Sequence, residues 1–285
     1  MFKKIKSFFE LIKFEHSIFA LPFAYLGLFL AEGGLPRFHV FIWVTVAMVA
    51  IRTGAMCLNR LIDQPIDEKN PRTRGRIQLI NLLSRPLIWI ITIASLCIAI
   101  FSAANLNFLC LALIPIPIVL VWSYPYLKRF TWCSHFILGI ILGMAPIAGW
   151  LASRSDWSWS VLLLGLAVAT WVSGFDMFYA LQDIEFDHAN QLKSFPVRFG
   201  VERTALVVRA LHAATILTLG IFGWYRGMGF WFWLGWSVVV ALIVKEHRLV
   251  SRFGLGKINE AFFNMNAWVS VVIFLAIALE LTLHG

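Results

Sequence analysis

Five side chains in two short stretches have the makings of a cation site. They are Asn59, Asp63 and Asp67 in Asn59-Arg-Leu-Ile-Asp63-Gln-Pro-Ile-Asp67, and Asp183 and Asp187 in Asp183-Ile-Glu-Phe-Asp187. Each stretch comes directly after a long apolar segment, and ionised carboxylates at a membrane boundary lose solvation. Two matched pairs facing a common space would hold divalent cations and, through them, a polyanion. Carboxylate and amide oxygens suit a hard ion such as Mg²⁺, which keeps some waters and commonly bridges protein carboxylates to phosphates. Four aspartates around a wet cavity repel one another unless cations neutralise them. Basic side chains supply the other half of a diphosphate site: Lys69, Arg72, Arg74 and Arg76 follow the first stretch, Lys193 and Arg198 follow the second, and Lys128-Arg129 lie between. Guanidinium groups grip phosphate oxygens two at a time.

The elements that must position these groups are membrane helices. Of the 285 residues, 60% are hydrophobic and only 14% charged, where a soluble domain carries roughly a quarter charged residues. Apolar stretches near the length that crosses a hydrocarbon core recur along the chain. Nine spans are expected, at about 17–35, 39–58, 87–104, 108–126, 135–151, 158–181, 204–224, 230–244 and 261–283. The runs are continuous rather than alternating, which argues against strands. Backbone hydrogen bonds must be satisfied inside lipid, so the expected fold class is an all-α polytopic bundle.

The net charge of +9 invites a nucleic-acid reading, but its distribution fits topology instead. With the N-terminus cytoplasmic, every Lys and Arg falls in a cytoplasmic segment except Arg37, Arg154 and Arg226 outside and Arg52 and Arg209 within spans. That bias sets the N-terminus inside and the C-terminus outside. Residues 1–16, with Lys3, Lys4, Lys6 and Lys13 among Phe2, Ile5, Phe8, Phe9 and Ile12, read as an amphipathic helix on the inner leaflet. Residues 17–285 read as one transmembrane domain. Cys57, Cys97, Cys110 and Cys133 are scattered without a CxxC and read as small apolar residues.

Spans 2 and 6 are an even number of crossings apart, so both acidic stretches are expected at one membrane face. Arg52, Met56, Asn59, Asp63 and Asp67 step by three or four, as do Asp176, Tyr179, Asp183 and Asp187, the spacing of one helix side. Pro65 interrupts the first series, so either the helix kinks there or Asp63 ends it. Arg52 and Asp176 lie two to three turns inside their spans. They either pair with each other or line the substrate cavity. His135, His188 and His212 read as isolated and receive no role.

With these residues in view, the chain resembles the UbiA superfamily of intramembrane aromatic prenyltransferases, in its 4-hydroxybenzoate polyprenyltransferase branch. The matching pieces are Lys13-Phe-Glu-His-Ser-Ile-Phe-Ala-Leu-Pro22, Asn59-Arg-Leu-Ile-Asp63 through Asp67, and Asn70-Pro-Arg-Thr73. Further along are Tyr124-Pro-Tyr-Leu-Lys-Arg-Phe-Thr131, Tyr179-Ala-Leu-Gln-Asp183 through Asp187, and Phe195-Pro-Val-Arg-Phe-Gly200. They run in order from the first span to beyond the sixth. The resemblance implies Mg²⁺ held by Asn59, Asp63, Asp67, Asp183 and Asp187, bridging a polyprenyl diphosphate whose tail lies in a lipid-open groove. It implies that Arg72, Lys128, Arg129, Lys193 and Arg198 stabilise the leaving diphosphate, that Arg52 contacts substrate and that Tyr179 shields the allylic cation. An aromatic acid then attacks, 4-hydroxybenzoate in the ubiquinone route or a dihydroxynaphthoate in menaquinone routes. The implied setting is a bacterial inner membrane with the site facing the cytoplasm. One departure stands out: the commoner first motif is Asn-Asp-x-x-Asp-x-x-x-Asp, and its second position here is Arg60. A secondary transporter is the rival outside this class, but transporters place their charges near the bilayer midplane.

Overall fold

The computed structural model of the chain describes residues 2–253 and 258–283, with side chains described for 4–14, 20–250 and 268–283. Among these residues every regular element is helical. The sequence expectations that rest on Glu15 to Phe19, within the first motif, and on the side chains of Phe2, Lys3 and residues 261–267 lie outside the described side chains.

The chain opens with α1 (Phe2–Ile12) and α2 (Phe14–Glu32), followed by the long α3 (Phe38–Asp67). Next come the short α4 (Gly75–Leu83), then α5 (Arg85–Leu106), α6 (Phe108–Leu113) and α7 (Pro115–Phe130). Then follow α8 (Ser134–Ser153), α9 (Trp159–Ala180), a 3₁₀ turn at Leu181–Asp183 and α10 (Ile184–Ala189). The last three are α11 (Phe195–Tyr225), α12 (Phe230–Phe253) and α13 (Ile258–Leu283). Among the described residues seven stretches are long and apolar enough to cross a bilayer: Phe38–Asp67, Arg85–Leu106, Phe108–Phe130, Ser134–Ser153, Trp159–Ala189, Phe195–Tyr225 and Phe230–Val250. Helices α2 and α13 lie where the sequence places the first and ninth spans, and their described apolar parts, Ala20–Glu32 and Trp268–Leu283, are shorter. Large apolar side chains such as Phe108, at 84% exposure, and Trp224, at 79%, point outward. Such a surface is unfavourable in water and favourable in lipid.

The chain forms two compact units. The first comprises Met1–Leu21 and His39–Tyr126. Its core joins Leu11 and Ile12 of α1, Cys57 and Leu61 of α3, Ile80 and Leu83 of α4, and Ile88 of α5. The surface helix α1 is thereby packed by its apolar side, while Lys4 and Lys6 stay exposed. Higher on α3, Trp43 meets Phe101 of α5 edge-on at 5.5 Å.

The second unit comprises Pro22–Phe38 and Leu127–Gly285. Helices α8 and α9 run antiparallel and very close. A Cβ on Gly139 would sit 2.3 Å from the Ala169 carbonyl oxygen, and one on Gly143 would sit 2.5 Å from that of Gly165. Only glycine permits this approach. Thr170 of α9 and Thr215 of α11 share a hydroxyl hydrogen bond of 2.8 Å, which gives the buried Thr215 hydroxyl a partner across the helix pair. The Glu280 carboxylate of α13 accepts the backbone N–H groups of Trp231 and Phe232 at 3.0 and 3.3 Å. It thus caps α12 from a neighbouring helix.

Candidate active site

Helix α3 carries the first acidic stretch, and it settles the choice that Pro65 left open. The helix passes through Pro65 and ends at Asp67. The proline lacks an N–H for one carbonyl only, that of Leu61, and the chain leaves the helix two residues later, so little of the ladder is lost. Arg52, Met56, Asn59, Asp63 and Asp67 therefore ride one continuous helix, the last three about 6 Å apart per step along its axis. Asp63 and Asp67 are buried and Asn59 is half-buried.

Two arginines that the sequence reading left without a defined contact organise this end of α3. Arg76 donates from Nη1 to both Asp67 oxygens, at 3.0 and 3.3 Å. Arg60, 5% exposed, sends Nε to the Leu11 carbonyl oxygen at 3.2 Å and Nη1 to Asn59 Oδ1 at 3.3 Å. The first of these bonds satisfies one of the orphan carbonyls at the end of α1. Arg60 thus ties the surface helix to the acidic helix and orients the Asn59 amide. In the turn that follows, Asn70 Oδ1 accepts the Arg72 N–H at 2.9 Å, and Arg72 is exposed, as are Lys69 and Arg74. Arg52 is half-buried further back on α3, with Tyr124 of α7 acting on it electrostatically.

In the second unit the helical register predicted through Asp176, Tyr179, Asp183 and Asp187 does not run unbroken. Helix α9 ends at Ala180, the chain tightens into the 3₁₀ turn, and α10 begins at Ile184. Asp183 sits at the start of α10 with φ −105° and ψ 7°, the bridge region of backbone space where active-site residues often sit. A tighter turn advances each residue further around the axis, so the register shifts between Tyr179 and Asp183. The groups acting on the Asp187 carboxylate are Asp183, Lys128, Ser194 and His135. Tyr179 is half-buried, its ring 6.3 Å from that of Phe175.

Backbone bonds fix the loop after α10. The Leu192 N–H donates to the Asp187 carbonyl oxygen at 2.9 Å, and the Lys193 N–H to that of Lys128 at 2.7 Å. The Phe195–Gly200 motif forms the first turns of α11, which break at Gly200, where φ is 79° and ψ 171°. That conformation is open to glycine and strained for other residues. Lys193 and Arg198 are exposed, Lys128 and Arg129 half-buried.

Asp176 is the site of a correction. Its carboxylate bonds His135 Nδ1 at 2.6 Å, so within this unit its partner is that histidine. His135 is therefore not isolated, and neither is His212, whose Nδ1 lies 3.0 Å from His247 Nε2. His188 is exposed. No sequence spacing links residues 135 and 176; only the antiparallel packing of α8 and α9 brings them together. All four cysteines are free thiols.

Among the described residues no three His, Cys, Asp or Glu side chains stand together as a ready metal cage. The donor chemistry nevertheless fits Mg²⁺, which is usually held by one or two carboxylates plus substrate phosphates rather than by an all-protein cage. Each unit offers one pair of aspartates, Asp63 with Asp67 and Asp183 with Asp187, and all their donor atoms are hard oxygens.

A polytopic all-helical fold, with paired carboxylates and basic side chains following its apolar spans, defines an integral membrane protein. The model of the UbiA prenyltransferase family matches residues 20–269, and the chain belongs to that family: it is a membrane prenyltransferase. A 4-hydroxybenzoate octaprenyltransferase of Xanthomonas campestris pv. campestris is 29% identical over 90% of this chain and 85% of its own. One from Coxiella burnetii is 29% identical over 97% of both chains. Among solved structures, a UbiA homolog from Aeropyrum pernix K1 superposes with a TM-score of 0.84 at 31% identity, covering 92% of this chain and 97% of the other. A UbiA homolog from Archaeoglobus fulgidus, bound to GPP and Mg²⁺, shares the fold with a TM-score of 0.68 at 18% identity, covering 94% and 99%.

Proposed function

We propose that the protein transfers a polyprenyl group from polyprenyl diphosphate to an aromatic acid, 4-hydroxybenzoate, in quinone biosynthesis. The observation that carries this reading is that Asn59, Asp63 and Asp67 share one continuous helix end in a chain of the UbiA prenyltransferase family. The names of its relatives support the acceptor, and the Archaeoglobus fulgidus protein offers a precedent, within this fold, for a prenyl diphosphate with Mg²⁺.

In this reading Asn59, Asp63, Asp67, Asp183 and Asp187 would hold Mg²⁺. The ion supplies neutralisation of the charge that builds on the departing diphosphate. The residues of the chain do the rest. Arg72, Lys128, Arg129, Lys193 and Arg198 take phosphate oxygens, strengthening their hold as the allylic C–O bond breaks and negative charge moves to the leaving group. The Tyr179 face shields the allylic cation, and Arg52 contacts substrate from within the span. A ring carbon ortho to the phenol forms the new C–C bond and the ring then loses its proton. Burying each CH₂ of the tail in lipid or apolar helix surface contributes about 0.8 kcal/mol, which suits a site opening on the bilayer. Lys and Arg placement supports a cytoplasmic N-terminus and a site at the cytoplasmic face of a bacterial inner membrane.

The test is turnover by the purified protein with Mg²⁺ and a labelled long-chain prenyl diphosphate, offered 4-hydroxybenzoate or a dihydroxynaphthoate separately. Prenylated 4-hydroxybenzoate is the expected product. Product from the naphthoate alone would overturn the acceptor, and a folded protein that prenylates no aromatic acid would overturn the reading as a whole.

A further inference from the structure

Partners are in place for the backbone donors at the start of α11 from Phe195 to Arg198. The first N–H groups of a helix have no partner within it and must find one elsewhere. Here the Val197 N–H goes to the Ser194 hydroxyl at 3.4 Å, the Arg198 N–H goes to the Ser194 carbonyl oxygen at 3.2 Å, and Pro196 has no N–H to place. The remaining donor, the Phe195 N–H, goes to His135 Nε2 at 3.4 Å. That contact dictates the tautomer. A backbone N–H can only donate, so Nε2 accepts and the ring proton resides on Nδ1, which donates to Asp176 at 2.6 Å. Both His135 and Phe195 are buried, His135 at 5% exposure.

We propose that Asp176 and His135 are positioning residues: a carboxylate–imidazole relay that locks the Phe195 N–H and so sets the turn carrying Lys193 and Arg198 against Asp187. Three features of the packing support this. The relay draws on three elements, α9, α8 and α11, so it is built by the fold rather than by local sequence. The turn it secures is short, because Gly200 breaks the helix five residues later, and cannot be held in line by the rest of α11. The same loop is tied by the Lys193 N–H to the Lys128 carbonyl oxygen and the Leu192 N–H to the Asp187 carbonyl oxygen, and His135 and Ser194 both act on the Asp187 carboxylate. Releasing the Phe195 anchor loosens the end of this loop that α10 does not hold. Aspartate is the better orienter because it accepts only, so the ring cannot flip its tautomer without losing both bonds.

This inference rests on the proposed diphosphate role of Lys193 and Arg198, and two separate readouts distinguish its failure from failure of that role. In the first, KM is measured for each substrate in the full-length protein. His135→Ala is expected to raise KM for the prenyl diphosphate about tenfold, the worth of one hydrogen bond, with KM for the aromatic acid unchanged. His135→Gln, which carries an acceptor out to the depth of Nε2, is expected to stay near wild type, whereas His135→Asn reaches only toward Asp176 and should match the alanine variant. Asp176→Leu should match it too. Arg198→Ala added to His135→Ala should cost nothing further, because the two act as one unit. In the second readout, amide hydrogen exchange at Phe195 should accelerate in the Ala and Asn variants and not in the Gln variant. Equal behaviour of the Gln and Asn variants, additive losses in the double variant, or equal changes in both KM values would overturn the proposal. Altered exchange at Phe195 with an unchanged diphosphate KM would keep the relay as a cap and remove its role in substrate binding.

Discussion

Gly139→Ala tests whether the closeness of α8 and α9 sets the chemistry or only the fold. The new Cβ would lie 2.3 Å from the Ala169 carbonyl oxygen and 2.1 Å from Ser173 Oγ. The hydroxyl can rotate away, but the carbonyl belongs to the backbone of α9. A tolerable carbon–oxygen contact is about 3.3 Å, so the helices must part by about 1 Å. One turn away the same pair of helices carries the His135–Asp176 bond of 2.6 Å, which would open to about 3.6 Å, beyond hydrogen bonding. Stability should fall by up to about 2 kcal/mol, since overpacking costs about 1–3 kcal/mol and alanine recovers about 1 kcal/mol of helix propensity over glycine. Function should change much more. The expected loss in kcat/KM is at least about tenfold, approaching a hundredfold as the displacement carries along α9 to Asp183. Gly143→Ala is the control. It meets the Gly165 carbonyl oxygen at 2.5 Å but lies two turns from His135, so it should show a similar unfolding midpoint and a loss under about threefold. Steady-state kinetics in detergent, with thermal unfolding of the same preparations, read both effects. Equal kinetic losses in the two variants, or a wild-type diphosphate KM in Gly139→Ala, would refute the reasoning.

Two further outcomes follow from α3 and its neighbours. Arg60→Met keeps the apolar stem but removes the bonds to the Leu11 carbonyl and Asn59; bonds to a charged donor are worth about 1.5–3 kcal/mol, so amide exchange in the last turn of α1 should rise about ten- to hundredfold, and unchanged exchange would mean that Arg60 does not hold the helix. Arg76→Met leaves the Asp67 carboxylate, whose side chain is 5% exposed, without its cation and should cost about 3 kcal/mol, whereas Arg76→Met with Asp67→Asn should recover most of it; equal stability of the single and double variants would contradict the pairing.

Much of this arrangement was legible in the chain because long apolar runs in lipid admit only helices, and because Asn59, Asp63 and Asp67 step at helical spacing. Pro65 left open a kink or a helix end at Asp63, four residues before the observed end at Asp67, because near a terminus a proline removes only a single bond. The 3₁₀ turn at Leu181–Asp183 has no such signature, since Leu-Gln-Asp suits an α-helix equally well. His135 and Asp176 lie far apart in sequence, and the signal that could have linked them is the glycine stripe of α8, which announces a close neighbour without naming it. Arg60 read as a missing metal ligand, and its positive contribution shows only where the end of α1 arrives beside it. Arg76 was one of several loop cations that topology alone would place there, and only its geometry singles it out.

In the proposed function the two aspartate pairs handle the diphosphate through Mg²⁺, and everything else at the site depends on that. This role is tested most directly by single-turnover prenyl transfer in Asp63→Ala and Asp183→Ala, each shown to insert and fold like the wild type, with Mg²⁺ and with the metal chelated. Wild-type turnover should stop on chelation and return with Mg²⁺, and neither variant should turn over under either condition. Wild-type rates in either variant, or undiminished wild-type turnover without divalent metal, would contradict it.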